Sequence, residues 1–114
     1  MPPADLPTLE LYQAEWCPYS HRVRMRLTEL GVDVVLRQVA ADRAERGAMS
    51  AATGGGVGIP TLVTPDGPIS DADEIIAWLD AHHEARADVE RHRAKRRADW
   101  PLWVELHGPG GPLS

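Results

Sequence analysis

The alternation of apolar and polar residues along this chain predicts strands and helices in a fixed order. Strands are expected at residues 8–12, 32–39, 61–64 and 68–70, and helices at residues 18–30, at residues 42–52 and from residue 71 towards residue 83. The order is therefore strand, helix, strand, helix, strand, strand, helix. A strand, a helix and a strand in succession are typical of a parallel βαβ unit, so the chain is expected to be an α/β protein.

The first helix has the clearest signals. Val23, Leu27 and Leu30 stand at positions i, i+4 and i+7, which gives one apolar stripe for a core. Pro18 suits the first position of a helix, and Gly31 is the residue type expected just beyond a helix end. These residues predict a helix over residues 18–30.

Two acidic residues, each followed three positions later by Glu, predict two further helix starts. Asp42 with Glu45 is a possible capping box for the second helix, and Asp71 with Glu74 is one for the third. The turn signal at residues 65–67 predicts a hairpin between the last two strands. Residues 32–39 are nearly continuous in apolar character, which is typical of a strand covered on both faces. The third helix is expected to give the core four residues: Ile75, Ile76, Trp78 and Leu79.

Composition narrows the function classes. The 114 residues fit one domain, and no apolar run approaches the roughly 20 residues needed to cross a bilayer. The net charge of −5 argues against general nucleic-acid binding, which depends on neutralising phosphates. A single cysteine cannot form an internal disulfide, so a reducing compartment, the cytoplasm, is expected.

The C-terminal part differs from the rest of the chain. We divide the chain into a domain at residues 1–83, a helical extension at residues 84–107 and a disordered tail at residues 108–114. Within the extension, residues 84–99 favour helix, and Trp100 and Trp103 are expected to anchor the segment on the body. The basic cluster at residues 91–97 is either a solvated helix face or a docking surface for an acidic partner.

The only cysteine, Cys17, stands immediately before the first helix. The first N–H groups of a helix have no partner within it and its dipole is positive there, so a thiol at this position is expected to ionise readily. His21 follows one helical turn later, close enough to favour the thiolate, although a histidine there is more often packed or turned to solvent. The alternative is a buried, inert cysteine. The predicted active-site turn comprises Trp16, Cys17, Pro18, Tyr19, Ser20 and His21.

Residues 8–83 resemble the glutaredoxin branch of the thioredoxin fold. Cys17-Pro18-Tyr19-Ser20 resembles the glutaredoxin active-site turn, with serine in place of the second cysteine. With His21-Arg22 added, it is also similar to the N-terminal domain of the omega and dehydroascorbate-reductase kinds of glutathione transferase. The resemblance implies a thioredoxin-like fold, β-α-β-α-β-β-α, with a C-terminal helical extension.

Two further segments carry the resemblance. Thr53-Gly54 followed by Ile59-Pro60 resembles the loop in which these families hold a cis proline, whose preceding residue binds the cysteine part of glutathione. Residues 70–74 stand where both families hold the γ-glutamyl end, with Asp73 as its partner in a glutaredoxin alignment and Asp71 in a transferase alignment. The implied glutathione-binding residues are Tyr19, Ile59, Pro60, Asp71, Ala72 and Asp73.

Three positions depart from these families. Ala14 replaces the Lys or Arg that holds the glycine carboxylate, and Ala72 replaces the transferase serine. These two leave room for another small thiol, such as mycothiol. Ser20 replaces the resolving cysteine, which restricts the chemistry to a monothiol cycle.

The resemblance therefore implies a monothiol thiol-disulfide oxidoreductase. Cys17 would attack mixed disulfides of glutathione, or of a mycothiol-type thiol, on protein substrates, and a second thiol would resolve the adduct. The chain is expected to act as a monomer or weak homodimer. An iron–sulfur cluster carrier ranks behind this function because Pro18 stands where such carriers have glycine, and a non-catalytic interaction module is the third alternative. No metal site is expected at the remaining histidines, His82, His83, His92 and His107.

Overall fold

Four strands form one mixed sheet in the computed structural model, which describes residues 8–98. They are β1 (Leu9–Gln13), β2 (Val34–Gln38), β3 (Thr61–Thr64) and β4 (Gly67–Ile69), in the order β2-β1-β3-β4. β1 is parallel to β2 and antiparallel to β3, and β3 and β4 form the predicted hairpin. The α/β class and the order of the elements are confirmed.

Within residues 8–98, four α-helices accompany the sheet: α1 (Pro18–Leu30), α2 (Gly47–Thr53), α3 (Ala72–His82) and α4 (Val89–Ala98). α1 has the predicted bounds because both of its signals are local. Pro18 is its first residue, and Gly31 has a φ of 67°, from which its N–H bonds back to the carbonyls of Leu27 and Thr28. None of the helices within residues 8–98 is both long and apolar enough to span a membrane.

The core lies between one face of the sheet and the helices α1 and α3. Successive strand residues point to opposite faces, so Leu11 faces the core whereas Tyr12 lies on the other face, beside Met49 of α2. The predicted core contributions of Ile75 and Leu79 are confirmed, and Ile76 and Trp78 pack against the core while partly buried. The buried core consists of Leu9, Leu11, Val23, Leu27, Leu30, Leu62, Ala72, Ile75 and Leu79.

The expectation that the second strand is covered on both faces is wrong. β2 is shorter than predicted and forms the edge of the sheet, where β1 is its one partner among the described strands. Val34 and Val35 are only partly buried, and Leu36 is exposed. An apolar run in the sequence does not distinguish an edge strand from a central strand that is covered on both faces.

The second predicted helix start is also wrong. Asp42 makes no side-chain capping bond; a single 3-10 turn covers Arg43–Glu45, and α2 begins only at Gly47. The reason is Arg46, whose buried guanidinium donates to the carbonyls of Ala40, Ala41 and Val57 at 2.8–3.1 Å. These three bonds hold the loop in a shape that a continuous helix cannot adopt.

The helix predicted at residues 84–99 begins five residues late, at Val89. The chain leaves α3 in an extended conformation at His83, and the N–H of Arg86 donates to the carbonyl of Glu29 at 3.0 Å. The connection is thus fixed against α1 before α4 begins. The predictions for Trp100, Trp103 and the 108–114 tail lie outside the described residues, and the division at residue 83 stays a prediction.

Candidate functional site

Cys17 is the N-cap of α1. The N–H of Cys17 donates to the carbonyl of Ala14 at 3.1 Å, which closes a tight turn between β1 and the helix. The Cys17 sulfur accepts the N–H of Ser20 at 3.4 Å, the place that a Ser, Thr or Asp side chain usually takes at a helix start. The first turn of α1 contains no acidic residue. The positive end of the helix dipole is therefore left to the sulfur.

The surroundings of the sulfur favour its ionised form. Burial raises the pKa of the Cys17 thiol, but polar interactions with the Ser20 side chain and with the backbone of Ser20 and Tyr19, together with the charge of Arg24, outweigh burial. The pKa of the thiol therefore lies below its ordinary value. This is the electrostatic condition for a reactive cysteine.

Cys17 is buried although several of its neighbours in the turn are exposed. Cys17 is 5% exposed, whereas its neighbours Trp16 and Tyr19 are 65% and 60% exposed. Pro18 and His21 are exposed as well. Cys17 thus stands among exposed residues of the turn and is not part of the core defined above.

Ser20, in the same helical turn, is 0% exposed. Its hydroxyl contributes to lowering the pKa of the thiol, but within residues 8–98 it makes no hydrogen bond of standard geometry. A buried hydroxyl in this condition is uncommon. Ser20 was expected as part of the turn, but its buried and unpaired state was not.

A polar network that the sequence did not suggest lies below the turn. Gln13 is buried at the end of β1; its amide donates to Gln38 at 2.9 Å and its oxygen accepts from Arg24. Arg24 also donates to Glu15 at 2.8 Å. The position of Arg24, two helical turns beyond Cys17, is the only signal in the sequence that could have placed this cation near the thiol.

The second half of the candidate site is a groove of about 300 Å³ between α1, the loop before β3 and the start of α3. The peptide bond between Ile59 and Pro60 is cis, as the resemblance implied. The groove is lined by Tyr19, Arg22, Ile59, Pro60, Ser70, Asp71, Ala72 and Asp73. All six implied glutathione-binding residues thus lie on one groove, whereas Cys17, Trp16, Pro18 and His21 are beside it and do not line it.

The charges of the groove come from two helix starts. Asp71 is the N-cap of α3, and its Oδ2 accepts the N–H of Glu74 at 3.1 Å, which confirms the predicted helix start. Asp73, two residues later, pairs across the groove with Arg22 at 2.8 Å. Arg22 was not among the predicted site residues.

Two larger cavities, of about 390 and 540 Å³, lie elsewhere among the described residues. Residues of α1 and β2, together with Arg86, line the first cavity. Trp78, His82 and His83 are among the residues that line the second. Neither contains the thiol or a predicted site residue. Chemistry, not volume, identifies the 300 Å³ groove as the candidate site.

Arginines at the entrance to α2 were also missed. Arg46 fixes the carbonyl of Val57 and thereby the loop that leads to Ile59. The Arg43 guanidinium lies beside Gly58, 3.2 Å from the place that a Cβ would occupy there. Within residues 8–98, no cluster of three or more His, Cys, Asp or Glu side chains could hold a metal ion.

Solved structures share this fold. They include a tau-class glutathione S-transferase from mango, Mangifera indica, at 21% identity and a TM-score of 0.57, covering 78% of this chain and 42% of that one. Glutathione transferase Omega 3C from Trametes versicolor has 18% identity and a TM-score of 0.57, covering 80% and 43%. A glutathione transferase homologue from Burkholderia, solved with bound glutathione, has 22% identity and a TM-score of 0.55, covering 80% and 51%.

The chain spans about half the length, or less, of these three structures. A comparison with curated protein sequences finds no significant match. The family model for the glutathione S-transferase N-terminal domain matches residues 11–87, which include the cysteine turn, the cis proline and the start of α3. The chain therefore belongs to the family of glutathione S-transferase N-terminal domains and has their thioredoxin-like fold.

Proposed function

We propose that this protein is a monothiol, glutathione-dependent thiol-disulfide oxidoreductase in which Cys17 is the nucleophile. The observation that carries the proposal is the position of the sulfur at the N-terminus of α1. The first turn of this helix has no acidic residue, and the pKa of the thiol is lowered there. A low pKa makes a thiol available as thiolate near neutral pH and also makes it a good leaving group.

The reaction has two exchanges. The Cys17 thiolate attacks the glutathionyl sulfur of a mixed disulfide; a sulfur–sulfur bond forms to Cys17 and the substrate leaves as a thiolate. A second glutathione thiolate then attacks the adduct, forms oxidised glutathione and returns Cys17 as thiolate. Ser20 stands where a second cysteine would be needed for internal resolution, so the second thiol has to come from solution.

The groove supports a binding mode for the γ-glutamyl end of glutathione. Asp71 suits the ammonium group, because only one of its oxygens is engaged among the described residues. The N–H groups at the start of α3, beginning with Ala72, suit the carboxylate. Asp73 is the weaker candidate for the ammonium because Arg22 already pairs with it.

The rest of the ligand would extend towards the thiol. No hydrogen bond within residues 8–98 engages the backbone of Ile59, which leaves it available to the cysteine part of glutathione. Tyr19 and Pro60 line the same groove. Arg43, beside Gly58, offers a cation for the glycine carboxylate that Ala14 cannot hold.

Turnover of a glutathionylated peptide tests the proposal. Wild type should release the peptide with glutathione as second thiol, and Cys17→Ser should fall to the rate of uncatalysed exchange. Ser50→Ala, a small change on α2 outside the groove, is the control and should retain the wild-type rate. Equal rates for wild type and Cys17→Ser, with glutathione and with mycothiol, would refute the proposal.

One observation favours a second candidate, a non-catalytic interaction module: Cys17 is only 5% exposed. Alkylation distinguishes the two functions. A nucleophile has to react with a small reagent in the folded protein, whereas a scaffold cysteine has to react only after unfolding. No observation favours the iron–sulfur carrier, and the family match points to glutathione. The cytoplasmic location and the monomeric or weakly dimeric state remain predictions.

A further inference from the structure

The sheet has an open edge at β2. β1 lies on one side of β2, and no described strand lies on the other. The N–H of Val39, just after β2, donates to the carbonyl of Gln13 on β1 at 3.3 Å. Because the backbone groups of successive strand residues point to alternate sides, Val34 and Leu36 turn their N–H and C=O groups towards the open side. Such groups can bond to a further strand.

The side chains on this edge are incompletely covered as well. Leu36 is 43% exposed, and the other large hydrophobic residues that are exposed within residues 8–98 are Trp16 and Tyr19 of the cysteine turn. Val34 and Leu36 pair in register with core residues of β1, so they lie on the helix-covered face of the sheet. There they line the cavity of about 390 Å³ together with Leu27 of α1. A partly apolar groove therefore lies beside the open backbone groups.

The sequence of β2 does little to prevent strand pairing. Natural edge strands are commonly blunted by proline, by lysine or by charges that point inward. β2 has the sequence Val-Val-Leu-Arg-Gln, and its only charged residue, Arg37, already pairs with Glu10 of β1 at 3.0 Å. Arg37 also points to the face opposite Leu36, because side chains alternate along a strand. The helix-covered side of the edge therefore carries aliphatic groups without a charge of its own strand.

We propose that this edge is an interface between two copies of the chain, in which β2 pairs antiparallel with β2 of the second copy. The two-fold axis passes beside Val35, which stands opposite Val35 of the second copy. Val34 of each copy then stands opposite Leu36 of the other, and the two residues exchange their outward N–H···O=C bonds. Each Leu36 side chain thus covers the groove of the other copy, and two four-stranded sheets become one.

The charges beside the strand select this register. Asp33, which is exposed just before β2, comes to stand opposite Arg37 of the second copy. The pair is of the type without hydrogen bonds between the two residues, in which opposing side chains are closest. A shift of two residues, the smallest that keeps the outward groups opposite each other, would set Asp33 against Val35 or Val39 and lose the charge pair. Two-fold symmetry makes the favourable contact twice.

The interface is small, which sets the expected affinity. Two five-residue strands bury less than the ~1,200 Å² of a stable protein–protein interface. The dissociation constant is therefore expected between about 1 μM and about 1 mM. Cys17 is not part of this edge, so the proposal is tested separately from the proposed function.

A charge exchange between two variants tests the pairing. In a homodimer, Asp33→Lys sets a lysine against Arg37, and Arg37→Glu sets a glutamate against Asp33, so each variant alone should associate about tenfold more weakly than wild type. An equimolar mixture should regain about the wild-type affinity, since both contacts then join opposite charges. Sedimentation equilibrium of the full chain with a reductant, from about 10 μM to about 1 mM, measures the mean mass. For wild type it should rise from one chain mass towards two.

Leu36→Lys should abolish the association, because each copy would bring a lysine to the groove of the other. Ala51→Lys, which adds the same charge at an exposed position of α2, is the matched control and should associate like wild type. Amide hydrogen exchange gives a second readout: exchange at Val34 and Leu36 should slow as the concentration of wild type rises.

Three results would overturn the proposal. The first is association that persists unchanged in Leu36→Lys, which would place the interface elsewhere. The second is a mixture of Asp33→Lys and Arg37→Glu that associates no better than either variant, which would exclude the register. The third is a wild type of one chain mass at every concentration. If the amides of Val34 and Leu36 were then protected throughout, another segment of the same chain would cover the edge.

Discussion

The helices α1 and α3 lie side by side in the same direction, but their two ends are built differently. Arg22 pairs with Asp73 near the two N-termini, and Arg26 pairs with Asp80 near the two C-termini. We call the N-terminal side, with Cys17, the thiol end, and the C-terminal side, with Glu29, the clamped end. At the thiol end the pair is exposed on both sides, whereas Arg26 is mostly covered.

At the clamped end the polar groups are paired. Glu29 stands in the last turn of α1, where a carboxylate opposes the helix dipole, yet its side chain is only 9% exposed. Arg26 and Arg93 offset this cost at 3.0 and 2.7 Å, and Arg93 thereby holds α4 against α1. The interaction joins three helices.

At the thiol end several polar groups have no partner among the described residues. The first turn of α1 has no acid, the Ser20 hydroxyl has no partner within residues 8–98, and one oxygen of Asp71 has none in the same range. The chain thus satisfies its polar groups where they only stabilise and leaves them unsatisfied where an ion is expected to form or bind. Open groups of this kind are typical of functional sites.

The largest effect on stability is expected at the clamped end. Glu29→Gln should lower the free energy of unfolding by about 2 kcal/mol, because a covered carboxylate loses its charge-assisted bonds and Arg26 loses a partner. Urea denaturation followed by circular dichroism measures the loss. Glu90→Gln, which removes the exposed partner of Arg93, is the control and should have a far smaller effect. Equal effects of the two variants would show that the clamped end is an ordinary surface.

At the thiol end, substitutions of Asp71 separate folding from binding. Asp71→Ala removes the N-cap of α3 and should cost about 1 kcal/mol of unfolding free energy, whereas Asp71→Asn keeps the cap. Both should weaken glutathione binding about tenfold, because the charge that faces the ammonium is lost. Calorimetric titration measures the affinity. Unchanged affinity in Asp71→Asn would show that this carboxylate does not hold the ligand.

The two ends should also respond to pH in different ranges. Hydrogen bonding to Arg93 is the main cause that holds the pKa of Glu29 below its usual value. Glu29 therefore stabilises the fold fully above its unfolded pKa of about 4.3, and this stability is lost as the pH falls through the lower folded pKa. The stability difference between wild type and Glu29→Gln should be constant near neutrality and shrink in acid.

Because the pKa of Cys17 is also lowered, its contribution to stability likewise increases with pH, but in a higher pH range. Its contribution is present above the unfolded pKa of ~8.5 and is lost as the pH falls through the folded pKa. Denaturation of wild type and Cys17→Ser at several alkaline and neutral pH values measures this. A difference that did not grow with pH would contradict the lowered pKa.

The smallest effect is expected from Asp73→Asn. Its pair with Arg22 is exposed, and exposed pairs usually stabilise by less than about 1 kcal/mol. Glutathione affinity should stay within about twofold if Asp71 rather than Asp73 holds the ammonium. A loss as large as that of Asp71→Asn would favour the glutaredoxin alignment instead.

Local signals in the sequence predicted the elements that local chemistry decides. Pro18 and Gly31 bound α1, residues 65–67 turn the hairpin, and Asp71 caps α3. The helix start predicted at Asp42 was wrong because Arg46 determines the shape of that loop. Arg46 donates to carbonyls on both sides of α2. No local pattern reports such a contact.

For the candidate site, too, the local features were predicted from the sequence and the distant contacts were not. The position of Cys17 at a helix start followed from the sequence, whereas the cis bond before Pro60 and the groove beside Asp71 followed only from the resemblance. The unpaired hydroxyl of Ser20 was not predicted at all, since it depends on how tightly the turn packs on the core. Pairing at a distance is what a single sequence leaves unspecified.

The mass of the intact protein after incubation with oxidised glutathione tests the central claim most directly. We predict one glutathionyl adduct per wild-type chain near neutral pH, removed by reduced glutathione and absent from Cys17→Ser. A folded wild-type protein that remained unmodified by oxidised glutathione and by mycothione, while its unfolded form reacted, would contradict the claim that Cys17 is a reactive thiolate.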